Sequence, residues 1–353
     1  MKERTILVGS YAKEQEQGIH IFRLETNPWR LEPAGGQGGI SNPSYLAVSA
    51  DGRNVYAVME DMEYEGQFGG GVASFKWQEN RLIPLNKKPT GGTLPCHLLP
   101  DQSGRALYVS NYMSGSLSMF RLEPDGSLSD RTDLDQHTGH GPNPERQEGP
   151  HVHFAGFEEQ GTKLYCSDLG LDRLCCYRPD PVLGHLGRCP EEDIAMPGGV
   201  GPRHFAVLPS HPGWLYAVGE LSSELYAVEQ KSGRIAQRLS TRESFAKSNT
   251  CAAIKASPDG KYLYISNRGD DSIAVFAVGN APDALTRIQC MPAGGRTPRD
   301  LLVLEDAVLA ANQDSDSISV FSRDPETGLL SGPVLCRDCP SPVCLVEGSL
   351  VKA

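Results

Sequence analysis

The stretch ASPDGKYLYISNRGDDSIAVF, residues 256–276, carries the pattern that organises the whole chain. An Asp-Gly turn at 259–260 precedes the alternating run YLYISN, and a second polar turn precedes the alternating run SIAVF. Short runs with a two-residue period, bounded by Gly, Asp and Asn, are typical of β-strands in tight hairpins. The stretch therefore predicts two short antiparallel strands that follow an earlier strand, CAAIKA, at 251–256.

The same arrangement occurs six times along the chain. The first strand of each unit begins at or near position 43, 95, 150, 202, 251 or 298, in the segments PSYLAVSADG, PCHLLPD, PHVHF, PRHFAV, CAAIKASPDG and PRDLLV. These starting points lie 47 to 55 residues apart, and the stretch before each next start leaves room for a fourth strand. Four short strands in a repeat of about 50 residues are typical of a β-propeller blade. The Trp-Asp dipeptide of WD40 repeats is absent from the sequence.

The two ends of the chain supply a seventh blade. PVCLV at 342–346 matches the first strand of a unit, whereas TILVGS at 5–10 and GIHIFRL at 18–24 match the second and third strands. We therefore predict an all-β, seven-bladed propeller with four-stranded antiparallel blades, in which the N- and C-terminal strands close the last blade. Closure would remove the free sheet edges that promote aggregation. Residues 1–353 are expected to form one domain.

Composition supports this architecture and limits the partners. The 38 Gly and 26 Pro in 353 residues exceed average usage and indicate many turns. A net charge of −11 disfavours nucleic acid and anionic membranes as partners. No stretch approaches the ~20 apolar residues of a membrane helix, and the apolar run near the N-terminus is too short for a signal peptide. We expect a cytoplasmic protein that is a monomer or a weak oligomer.

The ten cysteines do not form a metal-binding pattern. Cys336 and Cys339 have the only CxxC spacing, and no second pair follows them. His151 and His153 could both ligate a metal from one strand, but no carboxylate lies at a diagnostic spacing. We therefore expect reduced thiols, no metal ion and no cofactor.

The repeat predicts where polar side chains gather. The first strand of a propeller blade lines the central channel, and the start of that strand lies beside the end of the second. These positions hold His97, His151, His153, Arg203, His204 and Arg299 at strand starts, and Glu60, Asn111, Asp168, Glu220, Asn267, Arg268, Asn312 and Gln313 at strand ends. Arginines and histidines around one channel mouth in an acidic protein indicate a pocket for a small anion. Asn and Asp at strand ends also favour turns, so part of this set could be purely structural.

Several of these segments resemble the lactonase family of seven-bladed propellers. The resemblance rests on GPHVHF (149–154), SDLGLDRLCCY (167–177), GPRHFAVLP (201–209), GELSSELYAV (219–228), TPRDL (297–301) and the stretch 256–276. That family contains propeller-type 6-phosphogluconolactonases and the fungal carboxy-muconate lactonizing enzyme. Its catalytic set of one His, two Arg and one Glu would correspond to His151, Arg203, Arg268 and Glu220. The resemblance implies a lactonase, with 6-phosphogluconolactone and the pentose phosphate pathway as the leading expectation.

The chemistry of a lactonase suggests a role for each residue. His151 is the favoured proton-transfer group, since histidine exchanges protons near neutral pH, and Glu220 is the alternative base. Arg203 and Arg268 would stabilise the oxyanion. The further substrate-binding candidates, of which Arg299 and His204 would bind a distal phosphate or carboxylate, are His153, His204, Arg299, Asp168, Asn267 and Asn111. A long polar loop expected at 133–148 could cover the mouth.

Two other functions fit the same sequence. A cycloisomerase could close a muconate-like diacid to a lactone with the same side chains, because these residue types do not determine whether a lactone is formed or opened. A propeller without catalytic activity could instead present its face to a protein partner. Polar side chains facing the channel favour a small anionic substrate, whereas an exposed apolar rim would favour a protein.

Overall fold

The computed structural model describes residues 3–78, 80–243 and 248–348. These residues form seven four-stranded antiparallel sheets, each a blade around a common axis, and the predicted propeller is confirmed. The strands of the first three blades are β4 (Leu46–Val48), β5 (Asn54–Met59), β8 (Gly71–Gln78) and β9 (Arg81–Pro89) in blade 1; β10 (Pro95–Pro100), β11 (Ala106–Asn111), β12 (Ser116–Leu122) and β13 (Leu128–Gln136) in blade 2; and β14 (Val152–Phe157), β15 (Leu164–Asp168), β16 (Arg173–Tyr177) and β17 (Ile194–Ala195) in blade 3.

The remaining blades repeat this order. Their strands are β18 (Pro202–Ala206), β19 (Trp214–Gly219), β20 (Glu224–Glu229) and β21 (Ile235–Ser240) in blade 4; β22 (Thr250–Ala256), β23 (Tyr262–Arg268), β24 (Ser272–Val278) and β25 (Leu285–Pro292) in blade 5; β26 (Pro298–Val303), β27 (Ala307–Asn312), β28 (Ser317–Arg323) and β29 (Leu330–Asp338) in blade 6; and β30 (Pro342–Gly348), β1 (Glu3–Ser10), β2 (Ile19–Thr26) and β3 (Trp29–Gln37) in blade 7. A two-stranded hairpin, β6 (Glu63–Tyr64) and β7 (Gln67–Phe68), lies between β5 and β8. The helices of the described residues are two 3-10 turns, Pro190–Glu192 and Gln313–Ser315, and neither is long or apolar enough to span a membrane.

Blade 7 combines both ends of the chain, as the sequence predicts. The C-terminal strand β30 is its inner strand and pairs antiparallel with β1, from Thr5 opposite Gly348 to Ser10 opposite Pro342. The sheets account for the described residues between 3 and 348. That the full range 1–353 is a single domain stays a prediction.

Apolar side chains lock each blade against its two neighbours. Alternation along a strand sends successive side chains to opposite faces of the sheet. In β1, Ile6 and Val8 therefore pack toward blade 6, whereas Leu7 between them packs toward blade 1. The described residues form seven such buried clusters, one between each pair of adjacent blades. The propeller is thus a ring of sheet-on-sheet interfaces, each of which needs both of its blades.

The fourth strands lie at the outer edges of the blades. One of them, β13, includes part of the segment 133–148 that the sequence predicts to be a loop, so this prediction is partly wrong. The segment 133–136 belongs to β13, where Asp135 is opposite Leu117 and Gln136 is opposite Ser116. Its sequence is polar because this outermost strand is partly exposed to solvent. The irregular segment therefore begins at His137 and runs to His151, where it leads into β14.

Candidate functional site

A recurring irregularity in the first strands aims side chains into the channel. In blades 2, 3, 4 and 6, the register of the inner hairpin shifts by one residue just after the strand begins. The extra residues at these positions are Cys96, His153, Arg203 and Arg299. A bulge of this kind bends the strand and redirects a side chain. The same backbone device thus brings four blades' side chains to the channel mouth.

A second ring of side chains comes from the ends of the second strands. In each blade one such residue is the last residue of the second strand or the residue just after it. These residues are Tyr11, Glu60, Tyr112, Leu169, Glu220, Arg268 and Gln313. The hydroxyl of Tyr11 donates to Glu60 at 3.0 Å, and Arg299 donates to Gln313 at 3.4 Å. The first contact links blade 7 to blade 1, and the second joins the two inner strands of blade 6 at the mouth.

Three arginines converge on the buried carboxylate of Glu220. Oε2 of Glu220 lies 3.0 Å from Nε of Arg203 and 2.8 Å from a terminal nitrogen of Arg268. Oε1 accepts a hydrogen bond of 2.6 Å from Arg146. The side chains of Arg203 and Glu220 are 3% and 6% exposed, whereas Arg268 and Arg146 are 15% and 37% exposed. The cluster thus runs from the channel interior outward to the solvent.

The charges of this cluster do not cancel. Burial disfavours a charged Glu220, but Arg268, Arg203 and Arg146 outweigh it and hold the pKa of this carboxyl well below its usual range. Burial and the neighbouring Arg268 lower the pKa of Arg203 to about 10, so Arg203 remains a cation at neutral pH. Three guanidinium groups against one carboxylate leave an excess of two positive charges. This surplus suits a small anion with two charges.

Arg146 comes from the irregular segment that ends at β14, and the sequence analysis did not identify it. A buried glutamine, Gln147, anchors that segment by donating to the carbonyl of Leu169 at 2.9 Å and accepting from the amide of Asn143 at 3.1 Å. Arg146 also donates to the hydroxyl of Tyr112 at 3.4 Å. The segment lies outside the repeat, so the repeat gave no basis for placing its residues.

His151 stands beside the arginine cluster rather than within it. Its ring stacks on Tyr112, with the ring centroids 4.6 Å apart, and Tyr112 in turn contacts Arg146. Nδ1 lies 3.1 Å from the carbonyl oxygen of Tyr112, which can only accept, so Nδ1 carries a proton. Nε2 lies 3.2 Å from the exposed carboxylate of Glu148. Nε2 is therefore the nitrogen of His151 that can interact with a substrate.

His153 and His204 lie deeper in the channel, next to Arg203. Burial and the charge of Arg203 lower the pKa of both imidazoles well below the usual value, so both are neutral at neutral pH. Nε2 of His204 accepts from Arg203 at 3.2 Å, and the two imidazole rings meet edge to face at 5.2 Å. Arg299 is half-buried here, with its guanidinium over the ring of Tyr11 at 5.5 Å. The structure thus brings these three candidates together below the Glu220 cluster.

Asn111, Asp168 and Asn267 are fully buried, and apart from Oδ1 of Asn111 their side-chain polar atoms form hydrogen bonds within the described part of the protein. The amide of Asn111 donates to Ser116 and Ser118, and that of Asn267 donates to Ser272. These positions hold the blade ends together, and their geometry gives no support for direct contact with a substrate. The residue that follows in the chain, Tyr112 or Arg268, is the one that reaches the mouth.

Asp168 instead holds the backbone of His151. One carboxylate oxygen accepts from the amide of His151 at 2.8 Å, and the other lies 2.6 Å from Nδ1 of His137. Nε2 of His137 lies 2.6 Å from the hydroxyl of Tyr177, which itself donates to Asp135. Although burial opposes it, the bond to Asp168 raises the pKa of His137 to about 10. A buried imidazolium thus supports the start of β14.

One group of possible metal ligands occurs in the described part of the chain, and it lies elsewhere. Cys189, Glu191 and Glu192 come together between β16 and β17. Glu192 already forms ion pairs with Lys163, at 2.7 Å, and with Arg178. The expectation that the protein uses no metal and no cofactor stays a prediction.

Comparisons with known proteins agree with this fold. Residues 5–347 match the family model described as a lactonase with a seven-bladed β-propeller. The 6-phosphogluconolactonase of Bacillus subtilis is 33% identical over 348 residues, covering 96% of each chain. The 6-phosphogluconolactonase of Formosa agariphila is 33% identical over 92% of this chain and 94% of its own. The solved structure of the periplasmic gluconolactonase of Pseudomonas aeruginosa superposes with a TM-score of 0.90 at 28% identity, covering 99% of each chain. The chain therefore belongs to the lactonase family of seven-bladed β-propellers.

Proposed function

We propose that the protein hydrolyses 6-phosphogluconolactone to 6-phosphogluconate, and so serves the pentose phosphate pathway. The observation that carries this proposal is the surplus of two positive charges around Glu220, which matches a phosphate dianion. Two relatives that cover nearly the whole chain are named 6-phosphogluconolactonase. Membership in the lactonase family assigns the broader activity, a hydrolase acting on a lactone ester.

The arginines can stabilise the charge that develops during ester hydrolysis. Water attack on the lactone carbonyl gives a tetrahedral oxyanion, which positioned donors in a buried site stabilise strongly. Arg203 and Arg268 lie on the inner side of the cluster, and Nε of Arg268 has no hydrogen-bond partner in the described part of the chain. We assign these two residues to the oxyanion and the rim residue Arg146 to the distal anion.

The two candidates for proton transfer differ in their surroundings. The pKa of Glu220 is held so low that this carboxylate is a poor base, and its role is to position the arginines. Nε2 of His151 lies 3.2 Å from the carboxylate of Glu148, whose side chain is 53% exposed. We therefore assign proton transfer to His151, at the ring oxygen that becomes a hydroxyl when the lactone opens.

A panel of substrates tests the proposal. The purified protein is incubated with 6-phosphogluconolactone, with gluconolactone and with a muconate, and each reaction is compared with its spontaneous rate. We expect the phosphorylated lactone to be hydrolysed with the highest kcat/KM. Preference for gluconolactone would restrict the proposal to lactone hydrolysis. Turnover of muconate alone would favour the cycloisomerase. If none of the three compounds is turned over, the proposal is overturned.

Two variants test the assigned residues. His151→Ala and Arg268→Ala should each lower kcat by about 10²- to 10³-fold, the usual loss for a proton-transfer group or an oxyanion donor. His185→Ala and Arg53→Ala change exposed residues outside the mouth and serve as matched controls. Activity near wild type in both site variants would refute these assignments even if the protein is a lactonase. The cytoplasmic location and the monomeric state stay predictions.

A further inference from the structure

A small, partly enclosed cavity, the channel cavity, lies next to the Glu220 cluster. Its lining includes Glu60, His153, Arg203, Arg299, Ser44 and Cys96. It has room for about one water molecule, and it offers the several polar partners that an ordered water needs. Arg203 belongs both to this lining and to the Glu220 cluster. A water in the channel cavity would therefore lie next to the arginine assigned to the oxyanion.

His153 lines this cavity and has a side-chain nitrogen without a partner in the described part of the chain. Its side chain is buried, and Nδ1 has no hydrogen-bond partner among the described residues. A buried polar atom without a partner is costly, and a water bridge is the usual remedy. Because the ring is neutral, each of its nitrogens can accept or donate one hydrogen bond to such a water. The cavity and this nitrogen thus point independently to a bound water.

Glu60 supplies a carboxylate to the same cavity. It accepts from the hydroxyl of Tyr11 at 3.0 Å and from the hydroxyl of Ser44. Two carboxylate oxygens have about four acceptor positions, so these donors leave room for a water. Glu60 stands at the same place in blade 1 that Glu220 occupies in blade 4, just beyond the second strand.

The two glutamates have opposite electrostatic surroundings. Burial raises the pKa of Glu60, although Arg299, Ser44, Tyr11 and Arg203 all act to lower it. The pKa of Glu220 is shifted in the other direction. A pair of carboxyls with diverging pKa values commonly divides the acid and base roles of an active site. The other titratable or charged groups lining the cavity are Tyr45, Cys96, His153, Arg203, His204, Arg299 and Asp300.

We propose that Glu60 and His153 hold the hydrolytic water in the channel cavity and that Glu60 takes its proton. This inference rests on the proposed lactone hydrolysis. As an O–H bond of the water breaks, its proton passes to Glu60 and its oxygen forms a bond to the lactone carbonyl carbon. Collapse of the oxyanion breaks the bond to the ring oxygen, which receives a proton from His151. Transfer of the proton from Glu60 back to His151 through solvent restores both groups, with one water consumed.

The first test is Glu60→Gln, which keeps the shape of the side chain and removes the base. We expect kcat to fall by about 10²- to 10³-fold and KM to change by less than about threefold. The acid limb of the kcat–pH profile, where activity rises as Glu60 ionises, should disappear. Glu63→Gln makes the same chemical change at an exposed position in β6 and should leave the profile unchanged.

A second variant keeps the carboxylate and alters its surroundings. Tyr11→Phe removes a hydroxyl whose hydrogen bond stabilises the charged form of Glu60. The pKa of Glu60 should rise, so the acid limb should move to higher pH while activity on the alkaline side is largely kept. A purely structural role for Glu60 would not shift the limb in this way.

The outcomes separate this inference from the proposed function. A wild-type lactonase whose Glu60→Gln variant keeps its acid limb, with kcat within a few fold, would overturn the inference and leave lactone hydrolysis intact. If Glu60→Gln fails to fold by circular dichroism, an unshifted limb in Tyr11→Phe would overturn it. If the wild-type protein hydrolyses no lactone, the proposed function and the inference fail together.

Discussion

Replacing Arg146 by glutamine should separate recognition of the phosphate from catalysis. Arg146 is the most exposed of the three arginines on Glu220 and comes from outside the repeat. The change lowers the surplus positive charge at the mouth from two to one and leaves Arg203 and Arg268 in place. A phosphorylated lactone should therefore lose one charged contact, whereas an unphosphorylated lactone should lose little.

The size of the loss follows from the contact that disappears. A hydrogen bond to a charged group contributes about 1.5–3 kcal/mol, and each 1.4 kcal/mol corresponds to about tenfold. We expect kcat/KM for 6-phosphogluconolactone to fall roughly 10- to 150-fold. For gluconolactone we expect a change below about threefold. Arg146→Lys should fall between wild type and Arg146→Gln, since lysine keeps the charge but loses the planar fork.

The assay is initial-rate hydrolysis of both lactones at low and at high salt, with the spontaneous rate subtracted. The phosphate preference of the wild type should weaken with added salt, and that of Arg146→Gln should weaken less. Arg53→Gln, an exposed arginine on blade 1, is the matched control. An equal loss on both lactones would refute the reasoning, because it would show that Arg146 supports the site without selecting the phosphate.

Three further predictions concern stability. Glu220→Gln leaves three guanidinium groups without their shared carboxylate and should lower the free energy of unfolding by about 3–5 kcal/mol at pH 7, measured by urea denaturation; an unchanged midpoint would contradict this. Ending the chain after Ser341 removes β30 and its buried Val343 and Leu345, and the burial of each side chain stabilises the fold by about 1.5–3 kcal/mol. The truncated protein should therefore unfold or aggregate in thermal melts. A melting temperature near that of the wild type would disprove the prediction that β30 closes the ring. The pKa of His137 is raised in the folded protein, so the contribution of its charged form to the free energy of unfolding is complete below about pH 6.5 and is lost as the pH rises through about 10. His137→Gln should therefore lower the free energy of unfolding more at pH 6 than at pH 10. An equal loss at both pH values would refute a buried imidazolium.

The repeat made most of the architecture predictable. The same hairpin pattern occurs in every blade, so a strand that is ambiguous in one unit can be assigned from the corresponding strand of the other units. The match of the terminal segments to the missing strands also predicted the closing blade. The outermost strand β13 was partly mistaken for a loop, because an exposed edge lacks the apolar alternation that identifies inner strands.

The site was predictable only as far as the repeat extends. Arg203 lies at the start of a first strand, Glu220 and Arg268 lie at the ends of second strands, and the structure brings them together. Arg146 could not be placed, because it lies in a segment with no counterpart in other blades. Asn111 was chosen instead of Tyr112 because neighbouring side chains at a strand end point in opposite directions, and sequence alone fixes such ends only to within one or two residues.

The mixed composition of blade 7 has a consequence for synthesis of the chain. Strands β1 to β3 leave the ribosome before the strands of the other blades, but their inner partner β30 follows about 300 residues later. At ~5–20 residues per second, that interval lasts roughly 15–60 s. Throughout this time the inner edge of β1 has no strand to pair with, and an unpaired edge can bind another chain. The nascent protein is therefore most vulnerable at β1, and its ring can close only after β30 has been synthesised.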